Sequence, residues 1–217
     1  MYTYETAGTS VRPSRPRVLV FGGAGATGRL IAELATGRGF DVTVASRNPS
    51  APSGRTVACD VTDRDQVDAA MAGHDAVVYA VGTGHTKRSE LRTRGAACVL
   101  AAMKKHRVGR LVAMSGLGAG DSFAVQPWIF RAVIAPLFLR GLLDDQSGLE
   151  QEVRASDLDW TLVRPGQLVD GPSKGVVTSL DGRGVAAKVS RQAVAELIVA
   201  ELVSPLFVRA AVAVGNR

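Results

Sequence analysis

The sequence predicts a single α/β domain built on a doubly wound parallel sheet. Three observations carry that reading. Short apolar runs rich in β-branched residues alternate with segments of helical period from Arg17 to the C-terminus. The first run, "VLVF", breaks abruptly into glycines that open a helix. The chain of 217 residues shows neither repeats nor a linker, and suits one domain with a sizeable core.

The elements follow in order. Residues 1–16 are polar, with Thr, Ser, Gly, Pro and Arg, and read as a flexible tail outside the domain of 17–217. "RVLVFGG" reads as a central strand apolar on both faces. "GATGRLIAELATGRGF" is a helix with Leu30, Ile31, Leu34 and Ala35 on one stripe, stopped by Gly37 and Gly39. "DVTVASR" and, after a Pro/Ser/Gly loop, "RTVACD" are the second and third strands. "RDQVDAAMAG" is a short helix capped by Thr62 or Asp63. "DAVVYAVG" is a fourth strand. "SELRTRGAACVLAAMKKH" is a long helix whose last turn is basic, as the helix dipole favours. "GRLVAMSG" and "LDWTLVRPG" are the fifth and sixth strands. "SRQAVAELIVAEL" is a late helix capped by Ser190, and "FVRAAVAVGN" a final strand.

Composition removes several function classes. An apolar fraction of 46% with 21% charged residues is ordinary for a globular chain. The formal charge of +6 is spread along the sequence, without a basic run interleaved with aromatics, so no nucleic-acid partner is expected. No apolar run reaches membrane-spanning length: the longest candidate, 128–143, is broken by Arg131, Pro136 and Arg140, so no membrane partner is expected. Cys59 and Cys98 stand in no metal-ligand or CxxC spacing and read as buried, reduced thiols of a cytoplasmic protein without a metal. The N-terminus has no signal-peptide core.

Gly22, Gly25 and Gly28 give G-x-x-G-x-x-G between a strand and a helix. Such glycines allow a sharp turn, close approach of backbone to a pyrophosphate, and tight helix–strand packing. The N–H groups of Ala26 and Thr27 at the helix start then face the phosphate charge. Arg47 lies nineteen positions after Gly28, at the end of the second strand, where a ribose discriminator belongs. A guanidinium there suits a 2′-phosphate, and Ser46 adds a hydroxyl, which favours NADP(H) over NAD(H).

Taken together, "VLVFGGAGATGRL", "VTVASRN", "ACDVTD" and "LDWTLVRPG" resemble the atypical short-chain dehydrogenase/reductases. The closest group is the NAD(P)H-binding one that includes NmrA-like proteins and the flavin/biliverdin-IXβ reductases. The resemblance runs from about Arg17 to the C-terminus and implies a Rossmann-type sheet. It implies that Asp60 and Val61 border the adenine and that Ala80, Val81, Gly82 and Thr83 line the nucleotide ribose. It places Ser115, Pro165 and Gly166 near the nicotinamide.

The chemistry is less legible. The superfamily's proton donor is a tyrosine four residues before a lysine. Tyr2, Tyr4 and Tyr79 are the only tyrosines, and none has that spacing. Where the biliverdin/flavin reductases resemble Pro-Pro-His, this chain reads Pro165-Gly166-Gln167. Gln167 can hydrogen-bond a substrate but cannot deliver a proton as imidazolium would. Ser115 either orients a carbonyl or only touches the cofactor, and His85 is a weaker candidate in a loop. Asp144, Asp145, Glu150 and Glu152 read as a solvated helix face rather than an acid/base pair.

The apolar insertion at about 121–143 suits a lid over a planar substrate, a core helix, or a contact surface (within 123–143) for a second copy or another protein. The leading expectation is an NADPH-dependent oxidoreductase passing hydride to a flavin, quinone or other small conjugated carbonyl. The alternatives are an NmrA-like NADP(H)-sensing regulator without turnover, and a secondary-metabolism tailoring reductase or epimerase.

Overall fold

The computed structural model describes residues 15–48, 54–82 and 90–216. The strands are β1 (Arg17–Phe21), β2 (Asp41–Ser46), β3 (Arg55–Ala58), β4 (Ala76–Tyr79), β5 (Arg110–Met114), β6 (Asp159–Pro165), β7 (Gln167–Val169), β8 (Val176–Ser179), β9 (Lys188–Ser190) and β10 (Ala210–Asn216). The α-helices are α1 (Ala26–Gly37), α2 (Arg64–Met71), α3 (Leu91–His106), α4 (Arg140–Arg154) and α5 (Arg191–Val203).

Eight strands form one sheet in the order β3-β2-β1-β4-β5-β6-β10-β8. Every neighbouring pair is parallel except β8 against β10. The order reverses between β1 and β4, and open α/β sheets bind ligands at the carboxyl edge of such a switch point. The sheet is covered on both faces. Leu19 and Phe21 join Val67, Met71, Val99, Met103 and Leu149 in one core, while Val18 and Val20 join Ile31, Ala35, Val194 and Ile198 in the other. That two-residue alternation explains why β1 has to be apolar throughout its centre. α1 packs on α5 on one face, and α2, α3 and α4 pack in series on the other.

The local signals act as sequence chemistry requires. Asp63 caps α2 by accepting from the N–H groups of Asp65 and Gln66, and Ser190 caps α5 by accepting from Ala193. The N-cap of α1 is Gly25, which offers no side chain to the free amides of the first turn.

Three features differ from the sequence reading. The stretch 167–190 contains three short strands, with β7 and β9 paired as a separate ribbon. α4 is not a solvated acidic face: Asp145 and Glu150 are buried, whereas Asp144 remains exposed. The apolar insertion forms a 3₁₀ turn (Gly120–Phe123) and a π-helical stretch (Phe130–Leu139), and Trp128 between them and Leu137 and Phe138 within the latter are 70–75% exposed. It is therefore no core helix. Cys59 is buried and Cys98 half-buried. Among the described residues, no helix is long and apolar enough to cross a membrane and no cluster of side chains suits a metal ion.

Candidate cofactor-binding cleft

The turn after β1 is built by steric necessity. Gly22 has φ +78°, and a Cβ there would lie 2.5 Å from the Ala80 carbonyl oxygen. A Cβ on Gly28 would lie 2.3 Å from the Gly22 oxygen and 2.6 Å from the Gly23 Cα. The start of α1 thus rests directly on the turn, and only glycine permits it. Gly23, which the sequence spacing did not single out, is equally confined, since its Cβ would meet the methyls of Val44 at 2.7 Å.

This turn opens on a cavity of about 530 Å³ at the carboxyl edge of the sheet. The expected Gly22, Gly25, Ala26, Thr27, Gly28, Ser46, Arg47, Asp60, Val61, Ala80, Val81 and Gly82 all line it. Thr83 and His85 lie outside the described residues. The cradle fits a dinucleotide: the first turn of α1, whose amides no side chain caps, lines the cavity together with the exposed Arg47.

The polar groups of that end are ordered. Asp60 accepts from the Thr62 amide at 2.9 Å and from its hydroxyl at 2.8 Å. These bonds, with the nearby charges of Arg47 and Arg94, hold its carboxyl below the usual aspartate range. Asp60 is thereby fixed as an anionic acceptor beside Arg47. Ser46 donates to the Asn48 carbonyl at 3.0 Å, so its oxygen keeps accepting capacity. Burial and the neighbouring Asp60 and Asp63 push the Cys59 thiol up to about 11, which makes it an inert wall.

Sequence reasoning missed Arg92, Met114, Leu168 and Arg191, which also line the cavity. Arg92 is held by its Nε donating to the Val81 carbonyl at 3.2 Å and by Asp145 at 3.6 Å. Met114 and Leu168 each neighbour a named residue, Ser115 and Gln167, while Arg92 and Arg191 stand in the first turns of α3 and α5, where no motif marks them.

The residues assigned catalytic roles stand elsewhere. Ser115 is buried and absent from the cavity wall; its hydroxyl donates to Glu150 at 2.5 Å and accepts from the Gly116 amide. Glu150 in turn takes Arg164 at 2.8 Å through Nε, and Arg164 also pairs with Asp121. The one hydroxyl proton of Ser115 is committed to Glu150, so it is not offered to a substrate carbonyl. Pro165 and Gly166 also lie outside the wall. Their turn is pinned by Gln167 N–H donating to Ala187 at 2.8 Å, and a Cβ on Gly166 would strike the same carbonyl at 2.4 Å. Strand alternation in β7 presents Leu168 to the cavity and leaves the Gln167 side chain exposed on the other side. Tyr79 donates to the Arg92 carbonyl at 2.9 Å, and burial drives its phenol far above the ordinary range, so it is no proton donor.

The model of a family described as NAD(P)H-binding matches residues 22–205. An uncharacterised chloroplastic protein of Arabidopsis thaliana is 29% identical over 207 residues, which are 86% of this chain and 71% of that one. An oxidoreductase of Lactococcus lactis superposes with a TM-score of 0.79 at 17% identity, covering 93% of this chain and 91% of the other. A short-chain dehydrogenase/reductase of Veillonella parvula, solved in complex with NADP, gives 0.77 at 17% identity over 94% and 95% of the two chains. The glycine turn and the cavity wall from Gly22 to Arg191 fall within the matched span, and the chain belongs to the NAD(P)H-binding family of Rossmann-type α/β proteins.

Proposed function

We propose that this protein is an NADPH-dependent oxidoreductase that reduces a flavin, a quinone or another small conjugated carbonyl. The observation that carries the reading is the convergence of the glycine turn and Arg47 on one cavity. In it, the amides of Ala26 and Thr27 hold the diphosphate, Arg47 takes the 2′-phosphate beside Ser46, which gives up its bond to Asn48 to donate there, and Asp60 and Val61 border the adenine. Ala80 to Gly82 flank the ribose, while Met114 and Leu168 make an apolar wall at the end nearer β5 and β7. When bound, the cofactor supplies a hydride.

The chain's own contribution is orientation rather than acid catalysis. Tyr79 and Ser115 are both committed to internal hydrogen bonds. The product proton then comes from solvent, which suits acceptors that form stabilised anions. Incubating the protein with NADPH and a panel of FMN, FAD and quinones, followed by absorbance at 340 nm, is expected to show turnover with at least one. A complete panel without NADPH oxidation would remove the enzyme reading.

The 2′-phosphate assignment has its own test. Arg47→Glu replaces an attractive guanidinium by a repelling carboxylate. It should weaken NADPH binding by about tenfold or more and leave NADH binding equal or tighter. An unchanged preference would refute it.

A second reading is favoured by the same committed hydroxyls and by the exposed Trp128, Leu137 and Phe138: an NmrA-like NADP(H) sensor that presents this face to a partner protein. Tight NADPH binding without turnover, with a partner retained on that face, would support it over catalysis.

A further inference from the structure

The diphosphate of a dinucleotide carries two negative charges, yet residues 22–28 supply only backbone amides and the Thr27 hydroxyl against them, with no cationic group. The next residue, Arg29, turns its Nε back onto the Ala24 carbonyl at 3.0 Å. Further cationic help is available from the rest of the cavity wall, which three arginines reach: Arg47, Arg92 and Arg191. Arg47 stands beside Asp60 at the adenosine end. Arg92 is anchored to Asp145, which is itself buried and also holds the start of α3 by accepting from the amides of Arg92 and Thr93 at 3.1 and 3.0 Å.

Arg191 differs in place and in partner. It is the first residue of α5, and α5 leads into β10, which runs parallel to β6. α5 therefore starts at the carboxyl edge, as α1 does, and the two helices pack side by side on one face. The Arg191 side chain is only 25% exposed, and its Nη1 donates to Asp170 at 2.7 Å. Asp170 is 90% exposed, so water solvates this carboxylate fully if the arginine leaves it. The pair is an exchangeable one, unlike Arg92 and Asp145.

We infer that Arg191 clasps the cofactor diphosphate from the α5 side of the cleft, surrendering Asp170 as it does so. The inference rests on the dinucleotide reading above. It makes Arg191 a cofactor-binding residue, beside the glycine turn on the same face of the sheet, and makes Asp170 its competing partner. The 2′-phosphate end of the ligand lies beyond its reach, next to Arg47 and Asp60.

The test compares two probes by calorimetric titration at fixed ionic strength: NADPH, and adenosine 2′-monophosphate, which lacks the diphosphate. Arg191→Gln should raise the Kd for NADPH by about tenfold or more and leave that for adenosine 2′-monophosphate unchanged. Asp170→Asn, at an exposed position that the fold does not depend on, should tighten NADPH binding. Three results would overturn the clasp: equal losses on both probes in Arg191→Gln, no loss on either, or weaker NADPH binding in Asp170→Asn. Wild-type protein that binds neither probe would instead remove the dinucleotide reading, and the clasp with it.

Discussion

Alanine at position 28 offers a perturbation in which two opposing effects can be weighed from the geometry. Inside a helix, Gly→Ala gains up to about 1 kcal/mol of intrinsic propensity. At Gly28 that gain meets a backbone obstacle, because the new Cβ falls 2.3 Å from the Gly22 oxygen and 2.6 Å from the Gly23 Cα. Relief requires α1 to lift off the turn by about 1 Å, and overpacking of this kind costs about 1–3 kcal/mol or more. Both obstructing atoms belong to backbone, so the upper part of that range applies and the net loss is about 2 kcal/mol. For a domain of this size, Tm then falls by about 4–8 °C. The same lift withdraws the amides of Ala26 and Thr27, so NADPH affinity should fall at least about tenfold. Gly37→Ala is the control on the same helix, since a Cβ there meets nothing within 4 Å. It should raise stability by about 0.5–1 kcal/mol and leave binding intact. Thermal melts and NADPH titration of the two variants decide the matter. A Gly28→Ala protein as stable as wild type, with unchanged affinity, would refute the argument that the turn and helix are in contact by necessity.

Two further outcomes are expected. Glu150→Ala leaves Arg164 buried without its main partner and should cost about 3–5 kcal/mol in urea unfolding, whereas Asp144→Ala, at an exposed i,i+4 pair with Arg140, should change stability by no more than about 0.5 kcal/mol; equal effects would contradict the buried network. His74 is held neutral, below its ordinary 6.5, chiefly by burial, with Arg17 and Arg55 opposing charge, Asp41 favouring it and Met71 accepting from its ring nitrogen. The unfolded chain then binds a proton that the folded one does not, so stability should decline as pH falls below 6.5. His74→Asn should flatten that decline, and an unaltered pH profile would count against the assignment.

Much of the fold was legible because its main strands are buried on both faces. β1, β2, β4, β5 and β6 read as apolar runs for that reason, and the glycine turn followed from its place between β1 and α1. The short strands β7, β8 and β9 were not legible. They are three or four residues long, and their surroundings are rich in glycine and polar groups, so no period of two develops. In the site, the wall formed by consecutive residues at strand ends could be named in advance. Arg191 could not, because more than twenty residues separate it from β6, and Leu168 could not, because only the alternation of the short β7 decides that it rather than Gln167 meets the cleft. The fate of Ser115 depended on Glu150 and Arg164, which lie 35 and 14 residues away from their respective partners. An acidic pair that looks solvated in sequence becomes buried once such distant cations and hydroxyls converge on it. Asp145 shows the same effect, since its partners Arg92 and Thr93 lie more than fifty positions earlier.

The central claim is that backbone amides at the first crossover and Arg47 together select a phosphorylated nicotinamide dinucleotide. Calorimetric titration of the wild-type protein with NADPH and NADH in parallel tests it most directly. Saturable one-site binding of NADPH and clearly weaker binding of NADH are expected. Absence of heat with both coenzymes, or tighter binding of NADH, would contradict it.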